Sequence, residues 1–338
     1  MKQLKLIMLI LLSITIGSCY SIESDCGGDI GDFFWELTNG PPNGALSIVV
    51  ARNGDIWTTT RYTGEVIFST VCLSVNNGNT WAQKGYFWSS IVDFITISPV
   101  TGYIFVCNGS QGLFRSTNQG ETWVKVTNNM DISSLLITES GEIYFGIIYS
   151  SFYPNVRGVY YSSNNGNTWI QKSNGLSNQN VLSLALGKDG TLYAGTDNGI
   201  YHSTNNGDNW LLSSNYTNVF VRGLAISDDG SIFATANNNG VLKSTDEGIT
   251  WVQVNNGIDV GVHADRIIYN SITKDIFLSD LSYNSMVYRS SDLGESWELK
   301  NTGIPNEIYI DAFAFNHSTG QMYAATCNAG VYRSRNYQ

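Results

Sequence analysis

The sequence predicts an all-β protein built from repeated four-stranded sheets, and three observations support this. An eight-residue motif, S-x-[ND]-x-G-x-[TSN]-W, recurs at intervals of 41 to 46 residues, starting at Ser74, Ser116, Ser162, Ser203, Ser244 and Ser290. The intervals contain a similar succession of short apolar segments separated by glycines. The 338 residues include 34 glycines, 12% aromatic residues and only 14% charged residues, as expected of short strands joined by many turns. Four strands in each repeat of about 40 to 45 residues are the signature of a β-propeller.

The repeat motif has the chemistry of a tight turn. An Asn or Asp side chain at its third position can accept hydrogen bonds from backbone N–H groups just ahead. The glycine two residues later allows a positive φ, and the tryptophan opens the next strand and can bury its ring between layers. Calcium also favours such oxygen ligands, but four of the six motifs carry Asn at the third position. We therefore predict a structural turn, with no metal and no other cofactor.

One interval shows the order of the strands. After the motif tryptophan comes a short strand and a turn over Trp169–Gly175, and then an apolar strand over Val181–Leu186. A glycine-led strand follows at Gly190–Ala194, and another at Gly199–Ser203 leads into the next motif. If the strands run from the innermost to the outermost, all the motifs lie on one face of the propeller.

The number of blades follows from counting strands. Seven strands begin with a tryptophan, at Trp35, Trp81, Trp123, Trp169, Trp210, Trp251 and Trp297. Seven strands also precede a motif, but after the last of them, at Gly330–Ser334, the chain ends before a motif is complete. Because Gly31–Trp35 resembles the missing half, we predict that strand Phe33–Leu37 completes the seventh blade. Pairing the two terminal strands would close the ring without an open edge.

The repeat motif resembles the Asp-box (BNR) repeat of β-propellers such as sialidases, the sortilin ectodomain, xyloglucan-degrading enzymes and photosystem II assembly factors. The resemblance implies a seven-bladed Asp-box propeller but no activity, since the boxes shape blades and perform no chemistry. Sialidases add an arginine triad, an Arg-Ile-Pro motif and a Tyr/Glu pair, and this sequence has no Arg-Ile-Pro. Arg115, Arg289 and Arg333 share one repeated position before the motif serine, which indicates a structural role. Xyloglucan-degrading enzymes resemble two facing propellers, whereas this chain predicts one.

The N-terminal sequence has the pattern of a targeting segment. Lys2 and Lys5 precede an apolar run over Leu6–Ile16, which is too short to span a bilayer. Ile-Gly-Ser-Cys19 then resembles a bacterial lipobox. We expect a lipoprotein signal peptide at 1–18, lipidation of Cys19, a tether at 19–30 and the propeller at 31–338, and an ordinary secretory signal is the alternative. Because Tyr20 replaces the Asp of an inner-membrane retention signal, the outer membrane is favoured, facing either the periplasm or the cell surface.

Charge and cysteine spacing exclude two classes of function. The net charge is −10 and the basic residues form no cluster, which disfavours nucleic-acid partners. The remaining cysteines, Cys26, Cys72, Cys107 and Cys327, have no zinc-site spacing. An exported protein permits disulfides, and buried free thiols are an equal alternative for Cys107 and Cys327.

Aromatic residues mark one candidate binding surface. Two loops stand out, Gly85–Trp88 entering blade two and Gly146–Arg157 in blade three, and we place them on one face in neighbouring blades. Their aromatic residues are Tyr86, Phe87, Trp88, Tyr149, Phe152 and Tyr153. Such rings would stack on sugars or grip peptide side chains; the alternative is that they plug the central channel or pad the junctions between blades.

Charged residues mark a second candidate surface at the mouth of the channel. One aligned position of the innermost strands holds Leu46, Asp93, Ser133, Leu182, Arg222, Asp265 and Asp311, and Arg266 follows Asp265. These groups could bind a polar ligand, and Asp265 and Asp311 in adjacent blades could form an acid/base pair as in glycosidases. The alternative is salt bridges between blades, because buried charges normally pair.

The sequence therefore predicts a lipid-anchored propeller of the cell envelope that acts as a non-catalytic binding or assembly module for glycan or protein. The alternative is a glycoside hydrolase or lyase that uses Asp93, Asp265 and Asp311. His202, His263 and His317 are scattered, and no Ser/His/Asp or Cys/His arrangement is evident. A propeller fold alone does not specify an activity.

Overall fold

The computed structural model describes residues 34–41, 44–63, 67–88, 91–151, 156–176, 180–259, 261–280 and 286–335. The predicted signal peptide, Cys19, the tether and Cys26 therefore lie outside the described residues, as do Phe152 and Tyr153. The described chain forms seven four-stranded antiparallel sheets, which confirms the predicted fold. Among these residues no helix is both long and apolar enough to cross a membrane.

Each sheet is one blade, with its strands ordered from the innermost to the outermost. The blades consist of the following strands: blade one, β2 (Ala45–Val50), β3 (Ile56–Thr63), β4 (Ile67–Ser74) and β5 (Ala82–Trp88); blade two, β6 (Val92–Ile97), β7 (Ile104–Asn108), β8 (Leu113–Ser116) and β9 (Val124–Lys125); blade three, β10 (Ile132–Ile137), β11 (Ile143–Ile147), β12 (Gly158–Ser162) and β13 (Ile170–Gln171); blade four, β14 (Val181–Leu186), β15 (Leu192–Thr196), β16 (Gly199–Ser203) and β17 (Leu211–Thr217). The remaining strands are these: blade five, β18 (Val221–Ile226), β19 (Ile232–Ala236), β20 (Gly240–Ser244) and β21 (Val252–Gln253); blade six, β22 (Ala264–Tyr269), β23 (Ile276–Asp280), β24 (Val287–Ser290) and β25 (Glu298–Leu299); blade seven, β26 (Ile310–Phe315), β27 (Met322–Thr326), β28 (Gly330–Ser334) and β1 (Trp35–Leu37). A 3₁₀ helix over Gly109–Gln111 joins β7 to β8.

The two ends of the described chain share blade seven, as predicted. Strand β1 pairs with β28, with Trp35 opposite Ser334 and Leu37 opposite Tyr332. Trp35 is 1% exposed, and Glu36 accepts hydrogen bonds from Arg333 at 2.6 Å and Arg335 at 2.8 Å. The innermost strand of blade seven contacts that of blade one, so the ring closes.

The core consists of apolar layers between adjacent blades. The second strand of most blades is buried along its whole length, because it is covered by a neighbouring blade on each face. Between blades one and two, for example, Trp57 and Val71 pack with Ile95 and Val106. The ring is therefore stabilised by sheet-on-sheet packing around its whole circumference.

The repeat motif forms the predicted turn between the third and fourth strands. In the motif that starts at Ser244, the Ser244 Oγ accepts the Gly248 N–H at 2.9 Å, and the Asp246 Oδ1 accepts the Thr250 N–H at 2.9 Å. The same two bonds recur in the other five motifs. Gly248 has φ +82°, as the turn requires.

Some of the motif tryptophans join neighbouring blades by a hydrogen bond. The Trp169 Nε1 of blade three donates to the Val126 carbonyl oxygen of blade two at 2.8 Å, and Trp297 of blade six donates to Val254 of blade five at 2.7 Å. Trp123 and Trp251 instead donate to the glycine carbonyl oxygen of their own motif turn.

Cys72 and Cys107 are buried free thiols, and Cys327 is buried. This selects the free-thiol alternative for Cys107, and Cys26 lies outside the described residues.

Candidate functional site

The channel mouth is built on a bulge that recurs in all seven blades. In blade two, Val92 pairs with Asn108 and Phe94 pairs with Cys107, so Asp93 is an extra residue without a partner in the ladder. The register shifts at the equivalent point of every innermost strand. The extra residues are those aligned from the sequence: Leu46, Asp93, Ser133, Leu182, Arg222, Asp265 with Arg266, and Asp311. A bulge re-aims a side chain, so each blade presents one such position where its innermost strand begins.

On blades six and seven the side chains at the bulge contact one another. Asp265 is 3% exposed, and its Oδ2 lies 3.4 Å from the Arg266 Nε. The Arg266 Nε also donates to the Asp311 main-chain oxygen at 2.9 Å, which links the two blades. Asp265 is thus a buried carboxylate paired with Arg266 of its own strand, and blades six and seven are linked here by a hydrogen bond to a main-chain oxygen, not by the salt bridge between blades that was the alternative.

Blade two holds a carboxyl group whose pKa is shifted. The pKa of Asp93 is raised to about 6, chiefly by burial and to a smaller extent by the nearby carboxylate of Asp131, whereas the Gly109 N–H and the Arg61 guanidinium oppose the rise. Asp131 and Arg61 were not singled out from the sequence. The only available signal for Asp131 was its position directly before the innermost strand of blade three.

The bulge residues of blades three and five differ in their contacts. Arg222 of blade five is half-buried, and its Nε is itself buried, with no hydrogen-bond partner among the described residues. The Ser133 hydroxyl of blade three donates to the Val181 carbonyl oxygen of blade four. Ser133 therefore serves the junction between blades, whereas the buried Nε of Arg222 is not open to solvent.

Blade one is unusual because its outer strands are long. β3 and β4 have 8 residues and β5 has 7, whereas the outermost strands of blades two, three, five and six have 2. The extra length lies at the ends where β3 joins β4 and where β5 leads to blade two, which is the face opposite the motif turns. The expectation that Gly85–Trp88 is a loop is therefore wrong, because these residues pair with β4.

The extension carries four aromatic side chains, which we call the aromatic face: Tyr62, Phe68, Tyr86 and Trp88. Tyr62 stacks on Phe68 with ring centroids 4.6 Å apart, and Phe68 lies 5.5 Å from Trp88. The Tyr86 and Trp88 rings are 5.8 Å apart and within 8° of parallel. Tyr86 is 57% exposed and Trp88 is 62% exposed, so two parallel, stacked rings are open to a ligand.

Phe87 does not belong to this surface. Successive side chains of a strand point to opposite faces, and Phe87 points towards blade two. It is 6% exposed and packs edge-on against Phe114 at 5.5 Å and Trp123 at 5.6 Å. Its inclusion among the exposed binding candidates was wrong, because it is part of the core.

Tyr149 lies apart from the aromatic face. It follows β11 in blade three, is 52% exposed, and has the Arg157 guanidinium 5.1 Å from its ring centroid. Since Tyr86 and Trp88 belong to blade one, the expectation that the two aromatic sets occupy neighbouring blades is wrong. Phe152 and Tyr153 of the same segment lie outside the described residues.

A surface groove of about 700 Å³ runs between the outer parts of blades one and two. One wall is strand β5 and the other is the motif turn of blade two. The lining residues are Gln83, Lys84, Gly85, Tyr86, Glu121, Thr122 and Trp123. The Lys84 Nζ lies 2.6 Å from the Glu121 Oε1 across it.

The repeated arginines have structural contacts. Arg115 bonds to the Asn165 carbonyl oxygen and Arg333 to the Asn77 carbonyl oxygen, each in the motif turn of the next blade. Arg289 pairs with Asp275 at 3.1 Å. Within the described part of the chain, no group of three or more His, Cys, Asp or Glu residues could hold a metal ion.

Comparison with known proteins places the fold. No family model matches the sequence, and no curated protein matches it. Among solved structures, YCF48 bound to D1 peptide superposes with a TM-score of 0.67 at 12% identity, over 95% of this chain and 100% of that one. A catalytically inactive virginiamycin B lyase from Staphylococcus aureus, with quinupristin, gives 0.68 at 15% identity over 90% and 100%. An ancestral GH74 enzyme gives 0.67 at 21% identity over 90% of this chain and 46% of that one.

This chain is a β-propeller. The similar structures include a peptide complex and two enzymes, and at these identities they share the fold alone. What the propeller does must be argued from its own surface.

Proposed function

We propose that this protein is a lipid-anchored propeller of the bacterial cell envelope that acts as a non-catalytic binding or assembly module for a protein or glycan. The observation that carries the proposal is the aromatic face, where the parallel rings of Tyr86 and Trp88 are each more than half exposed. Leaving large apolar rings in water is unfavourable, and exposed patches of this kind mark interaction sites. Aromatic rings also dominate the energetics of binding surfaces.

The channel mouth contributes polar groups to the proposed module. The bulges direct one residue of each blade to this end of the channel, among them the half-buried Arg222. The YCF48 structure, described as bound to a peptide, supports a protein ligand, because its fold is similar over the whole propeller.

The proposed anchor depends on the N-terminal sequence alone. The apolar run Leu6–Ile16 followed by Ile-Gly-Ser-Cys19 supports lipidation of Cys19, and Tyr20 supports the outer membrane. A lipid anchor would hold the propeller at the membrane through the tether at 19–30.

The second candidate function is a glycoside hydrolase or lyase, favoured by the environment of Asp93. A carboxyl group with a pKa of about 6 beside a second carboxylate, Asp131, suits general acid catalysis near neutral pH. The similarity to a GH74 enzyme and to a lyase supports this candidate at the level of fold only.

A binding screen and an activity screen would test the proposal. The purified lipoprotein in detergent is applied to a glycan array and a peptide array, and each ligand found is titrated against Trp88→Ala. We expect about 30-fold weaker binding, since truncating an aromatic contact costs about 2 kcal/mol. Phe220→Ala is the matched control, because Phe220 is a similarly exposed ring (42%) on blade five.

Two results would contradict the proposal. Equal affinity of Trp88→Ala and wild type would remove the aromatic face from the site. Cleavage of the ligand that Asp93→Asn abolishes and Asp265→Asn does not would establish the enzyme instead.

A further inference from the structure

Strand β5 is an open sheet edge of unusual length. It is the outermost strand of blade one, so its second edge has no partner among the strands that the structure describes. It pairs with β4 from Ala82 to Trp88 with one shift of register. The other 7-residue outer strand, β17, pairs with β16 only at its two ends, since Leu212 lies opposite Tyr201 and the next pair is Thr217 with Gly199. Among the described outer strands, β5 is therefore the one long edge with a regular ladder.

Proteins usually shorten or cover such edges, because unpaired N–H and C=O groups template the addition of another strand. Blades two, three, five and six follow this rule with outer strands of 2 residues. The exception in blade one coincides with the groove of about 700 Å³ that runs along β5. An added strand has both a hydrogen-bonding edge and open space beside it.

The side chains of an added strand would meet two different surfaces. They alternate between the faces of the sheet, so one set lies over the aromatic face and the other over the wall formed by Trp123 and Glu121. Exposed aromatic rings attract cations. In the pair across the groove, the Glu121 side chain is 63% exposed and that of Lys84 is 24% exposed, so the carboxylate is the more accessible charge. The whole chain carries a net charge of −10.

We propose that β5 binds an extended, basic peptide segment of a partner protein as an added strand, seated in the groove between blades one and two. This inference rests on the proposed binding function and specifies its partner. Main-chain hydrogen bonds to β5 hold the segment, and Lys or Arg side chains contact the aromatic face and Glu121.

The test uses a synthetic, fluorescein-labelled peptide as long as β5, in which pairs of Lys/Arg alternate with pairs of Val, with the full-length lipoprotein in detergent. Because side chains alternate along a strand, this order places basic residues on both faces. Two N-methylated versions are made, one with methyl groups on the odd-numbered amides and the other on the even-numbered amides. Only one set of amides of an added strand faces β5. We expect one version to bind at least about 10-fold more weakly than the unmodified peptide and the other to bind equally well.

Charge at an exposed groove position provides a second readout. Gln83 lines the groove and is exposed, so substitution there leaves the core intact. Gln83→Glu should strengthen binding of the basic peptide and Gln83→Lys should weaken it, each by about 2- to 5-fold at low salt. The same pair of substitutions at Asn209, an exposed motif residue of blade four, is the matched control and should change nothing.

Each result decides between the two proposals. Equal binding of both N-methylated peptides, together with a loss in Trp88→Ala, would overturn strand addition and keep the aromatic face as the site. A difference between the two peptides with no effect of Trp88→Ala would keep strand addition and overturn the aromatic face. No binding of the unmodified peptide at concentrations up to about 1 mM would overturn the inference.

Discussion

Three glycines of blade five separate the cost of backbone strain from the cost of steric overlap. Gly230, Gly248 and Gly257 have φ values of +88°, +82° and +92°, which side chains rarely adopt. An added Cβ would meet nothing within 4 Å at Gly230, the Tyr193 ring at 2.8 Å at Gly248, and the Trp297 carbonyl oxygen at 2.1 Å at Gly257. Substitution by alanine therefore adds the same strain and an increasing overlap.

The expected losses follow from these distances. Positive φ alone costs about 1–2 kcal/mol, which is the prediction for Gly230→Ala. Gly248→Ala adds displacement of the buried Tyr193 ring, and we expect about 2–3 kcal/mol. Gly257→Ala must also move the backbone at Trp297, whose N–H bonds to Asn256 at 2.8 Å and whose Nε1 bonds to Val254 at 2.7 Å. Losing those two bonds adds about 1 kcal/mol each, for about 3–4 kcal/mol in total.

Urea unfolding followed by tryptophan fluorescence and by circular dichroism measures the series. The two probes must give one transition for the free energies of unfolding to be compared. Equal losses for the three variants would refute the reasoning, because the overlap would then contribute nothing. A larger loss for Gly230→Ala than for Gly257→Ala would show that the inter-blade contact of the tryptophan backbone is not tight.

Three further predictions concern the anchor, the closure of the ring and the channel mouth. Cys19→Ala should release the protein from membranes, and an unmodified residue 19 in wild type by mass spectrometry would disprove the proposed lipidation. Trp35→Ala should cost about 3–5 kcal/mol in thermal or urea unfolding, because its ring is 1% exposed, whereas Leu37→Ala, 52% exposed, should cost less than about 1; equal effects would contradict closure by β1. The folded-state pKa of Asp93, about 6, lies above its ordinary value of 3.8, so its contribution to stability is complete below pH 3.8 and is lost as the pH rises through 6. Between pH 4 and 7 Asp93→Asn should remove about 2 kcal/mol of this loss of stability, and parallel curves for the two proteins would refute the assignment.

Much of the fold could be predicted because its signals are local and repeated. The Ser, Asn or Asp, and Gly of each motif bond within eight consecutive residues, so sequence alone specifies the turn. The number of blades follows from counting tryptophans, and closure follows because the half motif at Trp35 complements the strand that ends at Ser334. The aligned position that holds Asp93 and Asp265 also proved to be one structural position, the bulge.

What the tertiary structure decided depends on strand length and on contacts between residues distant in sequence. In the sequence, Trp88 belongs to an aromatic cluster that could equally lie in a loop. Only its pairing with Phe68 shows that it lies in a strand. That pairing separates Phe87, in the core, from Tyr86, on the surface, because neighbouring side chains point to opposite faces. The ionisation of Asp93 likewise depends on Asp131, which lies on the connection to the next blade. Sequence thus determined the ring and its turns, while packing between blades determined which side chains remain open to a ligand.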